Sequence, residues 1–77
     1  MKNFNVRLNS IADVKTFAAI CCAQDFEIDA ASGRYTTDAK SIMGIFSIDL
    51  SRPILLTVHG SDSQCEEFYN SVRDYWA

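Results

Sequence analysis

The spacing of apolar residues changes along the chain, and each change predicts an element. Phe4, Val6 and Leu8 alternate with Asn5 and Arg7, the pattern of a half-buried strand with one wet face. Asn9-Ser10 ends the alternation. Ser10 with Asp13 fits a capping-box signature, with Asp in place of the better Glu. Ile11, Val14, Phe17, Ala18 and Cys21 follow at helical spacing, widened by Ile20 and Cys22, and predict a helix to about Ala23 or Gln24. Phe26, Ile28 and Ala30 alternate with Glu27 and Asp29, a second strand. Ser32-Gly33 reads as a hairpin turn, and Arg34 to Thr37 as a short third strand. Asp49 to Arg52 is a loop, and Pro53 opens a fourth strand in which Ile54, Leu56 and Val58 face one way. Ser61 with Gln64 forms a second capping box. Behind it Cys65, Phe68, Tyr69, Val72, Tyr75 and Trp76 make the clearest amphipathic stripe in the chain.

The stretch from Ala39 to Ile48 is less regular. Ser41 is a good N-cap type, because its hydroxyl can accept a bond from an early helical N–H. Ile42, Met43, Ile45, Phe46 and Ile48 are too many for one narrow stripe. A short helix here is expected to bury Ile42 and Ile45 and leave Met43 and Phe46 partly outside. Exposed apolar groups on a small domain often mark a docking surface. Gly44 is a poor choice for a generic helix.

The resulting order is β-α-β-β-α-β-α. Alternation in the strands implies one antiparallel sheet with helices on one face, an α+β fold. Val6, Leu8, Val14, Phe17, Ile28, Ile45, Leu56, Val58, Phe68 and Val72 are the expected core. With 77 residues the chain is read as one domain over residues 1–77.

Charge and composition remove some functions. The net charge is −3, and the seven Lys and Arg are scattered singly, so the footprint of a nucleic-acid binder is missing. No segment approaches a membrane span. The start of the chain runs straight into the first strand pattern, so a cytoplasmic protein is expected, with no membrane or nucleic-acid partner. The three cysteines, Cys21, Cys22 and Cys65, lack the spacing of a metal or redox site and are expected to be reduced and mostly buried. No metal or cofactor is implied. Glu66 and Glu67 lack an acid–base partner nearby in sequence, and an enzyme is not expected.

The run Lys40-Ser41-Ile42-Met43-Gly44-Ile45-Phe46-Ser47 closely resembles the regulatory-serine segment of the HPr-like phosphocarriers of the bacterial sugar phosphotransferase system. That family shows Lys-Ser-Ile/Leu-Met-Gly, then an apolar residue or two and a serine. The family's open-faced sandwich, a four-stranded antiparallel sheet under three helices, has the element order read above. The resemblance is strong by residue identity around Ser41. Elsewhere the apolar pattern carries it.

The family holds its phosphoryl group on a histidine in a motif resembling Gly-Ile/Leu-His-Ala-Arg-Pro-Ala. The imidazole is the nucleophile, the helix N-terminus offers N–H groups, and the arginine adds a cation. The matching stretch here reads Ser10-Ile11-Ala12-Asp13-Val14-Lys15-Thr16. Ala12 stands where the histidine belongs, Val14 where the arginine belongs and Lys15 where the proline belongs. Asp13 adds a negative charge that repels a phosphoryl group. Histidine phosphotransfer at this place is expected to be absent. His59, the single histidine, is expected at the far end of the sheet from Ala12, an exposed strand-end residue.

Some relatives in the family lack the histidine and keep the serine. The resemblance therefore implies a regulatory protein-binding module. Ser41 is its phosphorylatable residue, and Ile42, Met43, Phe46 and Lys40 are its contacts with partners. Those partners would be phosphotransferase-system enzymes, a serine kinase or a transcriptional regulator. A non-transferring homologue that docks to the system's enzymes as competitor or scaffold is the alternative. Plain structural roles stand beside these: Ser41 as an N-cap, Met43 and Phe46 as core packing, Lys40 as a solvated residue.

Overall fold

The computed structural model describes residues 1–77. Strands β1 (Lys2–Val6), β2 (Ile28–Ser32), β3 (Tyr35–Asp38) and β4 (Ile54–Val58) alternate with helices α1 (Ile11–Cys22), α2 (Ile42–Phe46) and α3 (Asp62–Ser71). The order along the chain is the expected one. The strands form a single sheet in the order β1-β4-β2-β3, with every pair antiparallel. Lys2 pairs with Val58 and Val6 with Ile54, so the chain leaves β1 for α1 at the end of the sheet where β4 begins.

Alternation in the strands becomes two faces. Val6, Ile28, Ala30, Ile54, Leu56 and Val58 turn inward and meet Val14, Phe17, Ala18 and Cys21 of α1, Ile45 of α2, and Cys65 and Phe68 of α3 in one cluster. All ten residues expected in the core are buried. Each large side chain there stabilises the fold by about 1.5–3 kcal/mol relative to exposure. Asn3, Asn5 and Leu55 lie exposed on the opposite, open face.

All three serine caps form as the sequence suggests, but the capping box expected at Ser10 is half formed, because Asp13 reaches past Ser10 to the Asn9 N–H. Ser10 Oγ accepts from the Asp13 N–H at 3.1 Å. Around α3 both halves of the box are present: Ser61 Oγ accepts from Gln64 N–H at 3.2 Å, and Gln64 Oε1 accepts from Ser61 N–H at 2.8 Å.

Four local expectations are corrected. The hairpin turn is Gly33-Arg34, one residue later than expected, because Ser32 pairs with Tyr35 and is buried. Gly33 has φ +60°, as the first central position of a type II′ turn requires, and glycine reaches that value without a Cβ penalty. Phe26 is only half-buried and precedes β2. Ile11, read as part of the α1 stripe, is 65% exposed, since it opens the helix beyond the sheet. The apolar run at the C-terminal end is not one helix. α3 stops at Ser71, and a 3-10 turn over Arg73–Tyr75 leads into a bridge between Trp76 and Val6. Arg7 N–H donates to Tyr75 O at 2.7 Å and Ala77 N–H to Asn5 O at 3.1 Å, which covers part of the free edge of β1. Trp76 stacks on Tyr69 with ring centroids 4.2 Å apart.

Candidate functional site

Two places carry residues singled out by the sequence: the start of α1, with Ala12, and the start of α2, with Ser41. They are built from similar parts.

At the start of α1, Ser10 is the N-cap, and Asp13 Oδ2 reaches back to accept from the Asn9 N–H at 3.1 Å. The carboxylate thus sits within the first turn and satisfies a backbone donor itself. Ala12 is exposed and offers no nucleophile. Val14, matched above to an arginine position, is fully buried. A guanidinium there would point into the core. The nearest cleft, about 430 Å³, lies between Arg7, Ser10 and Ile11 on one side and Leu50 and Ser51 on the other. Arg7 Nη1 donates to Ser51 O at 3.5 Å across it. Ser10, the one hydroxyl at this helix start, is exposed and caps the helix, with the Asp13 carboxylate in the same first turn.

At the start of α2, Ser41 has extended backbone, and its Oγ accepts from the Gly44 N–H at 3.1 Å. The side chain is otherwise exposed. No acidic residue lies in the first turn. Asp38, just upstream, spends one oxygen on the Lys40 N–H at 2.9 Å.

The odd glycine now has a cause. A Cβ on Gly44 would collide with the Thr37 side chain and stand 3.3 Å from Ser41 Oγ. Glycine lets α2 settle on β3. At about 100° per residue, Gly44 and Ile45 turn toward the sheet and core, and Met43 and Phe46 turn away. Met43 is 75% exposed and Phe46 40%, as expected. Ile42, expected inside with Ile45, falls on the margin and is 36% exposed. The outer surface of α2 is thus a small apolar patch of three side chains beside Ser41.

Lys40 is less free than a solvated surface cation. Its Nζ donates to Gln24 O at 2.9 Å, at the C-terminal end of α1. Cys22 Sγ donates to Lys40 O at 3.2 Å. Two contacts therefore tie the segment before Ser41 to the end of α1. Nothing in the spacing of the sequence announces Cys22 or Gln24 as its supports, since both reach Lys40 from the far side of the β2–β3 hairpin; the out-of-place Gly44 is the only local signal. Cys22 is exposed, while Cys21 and Cys65 are buried. Burial pushes the Cys21 thiol up to about 12, with Cys22 and Asp38 adding to the effect and Lys40 opposing it.

His59 is remote from both places. It follows the end of β4 that pairs with Lys2, the opposite end of the sheet from the start of α1. Its Nε2 lies 2.8 Å from Asp29 Oδ2.

No helix is long and apolar enough to cross a membrane. No family model matches the chain. No curated protein matches it either. Solved structures do. The chain is similar to the crystal structure of HPr-C-His from Thermoanaerobacter tengcongensis, with a TM-score of 0.76 and 19% identity, over 96% of this chain and 93% of that one. It is also similar to the phosphocarrier protein HPr from Bacillus anthracis, with a TM-score of 0.68 and 28% identity, over 99% of this chain and 94% of that one.

Proposed function

The chain has the open-faced sandwich fold of the HPr phosphocarriers, and from that premise we propose that it is a regulatory protein-binding module of the phosphotransferase system that carries no phosphate on histidine. Ser41 is its switch. Ile42, Met43 and Phe46 are its docking patch, and Lys40 sets the backbone from which Ser41 projects. The protein is not an enzyme; it works in the cytoplasm by binding other proteins.

One observation carries this reading: an exposed serine hydroxyl borders an apolar patch at α2, while Ala12 leaves the start of α1 without an imidazole. A phosphate on Ser41 would bring about −1.5 to −2 charges at neutral pH. Its oxygens can take over the bond from the Gly44 N–H, so the fold is expected to survive. What changes is the surface: an apolar patch gains a strong negative charge beside it. A partner with Arg or Lys next to an apolar pocket can read that combination.

The test compares wild type, Ser41→Ala and Ser41→Asp, first with an HPr serine kinase and then in pull-downs with candidate regulators. The kinase should label wild type and leave Ser41→Ala unlabelled. If it labels both alike, or neither, Ser41 returns to being an N-cap.

A second reading rests on the same exposed patch. The protein docks to the system's enzymes and blocks transfer without taking part. It would then inhibit phosphotransfer between those enzymes, with no label on itself from phosphoenolpyruvate and the general phosphotransferase enzyme. Acid-labile phosphate on His59 would overturn both readings.

A further inference from the structure

The chain has four arginines, and three of them are engaged. Arg7 bonds Ser51 O, Arg73 bonds Asn70 O at 3.3 Å, and Arg52 lies 3.7 Å from Asp49 Oδ2. Arg34 makes no hydrogen bond and no ion pair. It sits in the β2–β3 turn and, with Arg52 and Tyr35, lines a cleft of about 300 Å³ between that turn and the loop before β4.

We propose that this cleft is a binding site for a phosphate monoester, held between the guanidinium groups of Arg34 and Arg52. Four observations support the chemistry. Two arginines and one carboxylate line the cleft, so it is locally positive on a chain whose net charge is −3. The one carboxylate in the cleft, Asp49, is already occupied: Ser51 donates to its Oδ1 from the backbone N–H at 2.9 Å and from Oγ at 2.6 Å. Those bonds hold its carboxyl below the usual range. The Arg52–Asp49 pair is long and solvent-exposed, so it holds Arg52 weakly and lets it turn to a better acceptor. Tyr35 is 69% exposed beside the two arginines, which gives the ester's organic portion a ring to lie against and its oxygens a hydroxyl donor. Two planar forks suit a dianion with three free oxygens better than a single carboxylate. The walls are steady: the turn is closed by Gly33, and Ser32 Oγ donates to Asp49 O at 3.4 Å, joining the two loops.

This site is independent of Ser41 and of the histidine question. The ester can arrive as a free small molecule or as a phosphorylated side chain of a partner. The experiment is an amide NMR titration of the full chain at constant ionic strength. Separate arms use glycerol phosphate, a phosphoserine peptide, sodium acetate and sodium chloride. Saturable shifts centred on Gly33, Arg34, Tyr35 and Arg52 are expected with the phosphate esters, and a tighter peptide arm assigns the partner source. Arg34→Gln and Arg52→Gln, both at exposed positions, should each weaken binding by about tenfold while leaving the rest of the spectrum unchanged. No saturable shift with either ester would overturn the proposal. So would equal shifts with acetate or chloride, or binding as tight in Arg34→Gln as in wild type.

Discussion

The starts of α1 and α2 are both capped by a serine that accepts from the residue three places on, yet they suit opposite chemistry. At α1 that third residue is Asp13, whose carboxylate turns back to the Asn9 N–H and places a negative charge in the first turn. At α2 it is Gly44, with no side chain, and the first turn is free of acid. One helix start supplies its own anion. Both cap hydroxyls are exposed, but the one at α2 has no carboxylate in its turn and lies beside three exposed apolar side chains. The difference is one of charge and surface, because the capping geometry is shared.

The largest effect is expected from an attempt to restore at α1 what the family motif has there. Val14→Arg puts a guanidinium where the side chain is fully buried, with no carboxylate to pair it. A loss of about 3 kcal/mol or more is expected by urea denaturation, close to unfolding for a domain this small. Ala12→His, at an exposed position, should fold normally. If Val14→Arg is as stable as wild type, α1 can turn that position outward, and the contrast between the two helix starts weakens.

At α2 the corresponding probe is Gly44→Ala. Helix propensity alone favours alanine by about 1 kcal/mol. The collision with the Thr37 side chain opposes it, and overpacking of this kind costs about 1–3 kcal/mol. Net destabilisation is expected, with part of it recovered by adding Thr37→Ala. A Gly44→Ala protein more stable than wild type would show that α2 is not pressed onto β3.

Much of this architecture was legible in the sequence, because the strands alternate cleanly and three serines stand at helix starts. The core positions followed from period alone. The C-terminal segment did not: Val72, Tyr75 and Trp76 keep helical spacing, but Tyr75 O and Ala77 N–H pair with Arg7 and Asn5 along the edge of β1. The hairpin register slipped by one because Ser32 and Gly33 are both turn residues, and only pairing with Tyr35 decides between them. At the candidate site, Ser41, Met43 and Phe46 could be read directly. Ile42 could not, since five helical residues leave its side on the margin. The hold on Lys40 could not either, since Cys22 and Gln24 reach it from another helix.

The pH dependence of stability probes the buried inner face of α1. The Cys21 thiol is raised in the folded protein, from 9.0 to about 12. The unfolded chain releases this proton first. The stability it contributes is therefore intact below pH 9 and falls as pH rises toward 12. Between pH 9 and 10 the fall is about 1 kcal/mol, and the slope then approaches about 1.4 kcal/mol per unit. Chemical denaturation across that unit should show the slope, and Cys21→Ala should flatten it whatever its offset. An unchanged slope would mean that another group dominates.

The smallest effects come from the caps themselves. Ser10→Ala removes the cap of a twelve-residue helix that carries four buried residues, and about 1 kcal/mol is expected. Ser41→Ala removes a cap from five residues with one buried, and α2 is also held from behind by the Lys40 contacts. Its cost should be smaller. Global unfolding resolves such a small difference poorly, so a local readout is better. Cys22 is the exposed thiol of the three, and its Sγ donates to the carbonyl of the residue before Ser41. A thiol reagent at pH 8 should modify Cys22 quickly and spare Cys21 and Cys65 while the fold holds. Ser41→Ala and Ser41→Asp should change the Cys22 rate, because they alter the backbone that this thiol touches. Ser10→Ala, at the other end of α1, should leave the rate alone despite its larger cost in stability. If the two serines move the rate equally, the helix starts are coupled through α1, and treating them as separate sites is wrong.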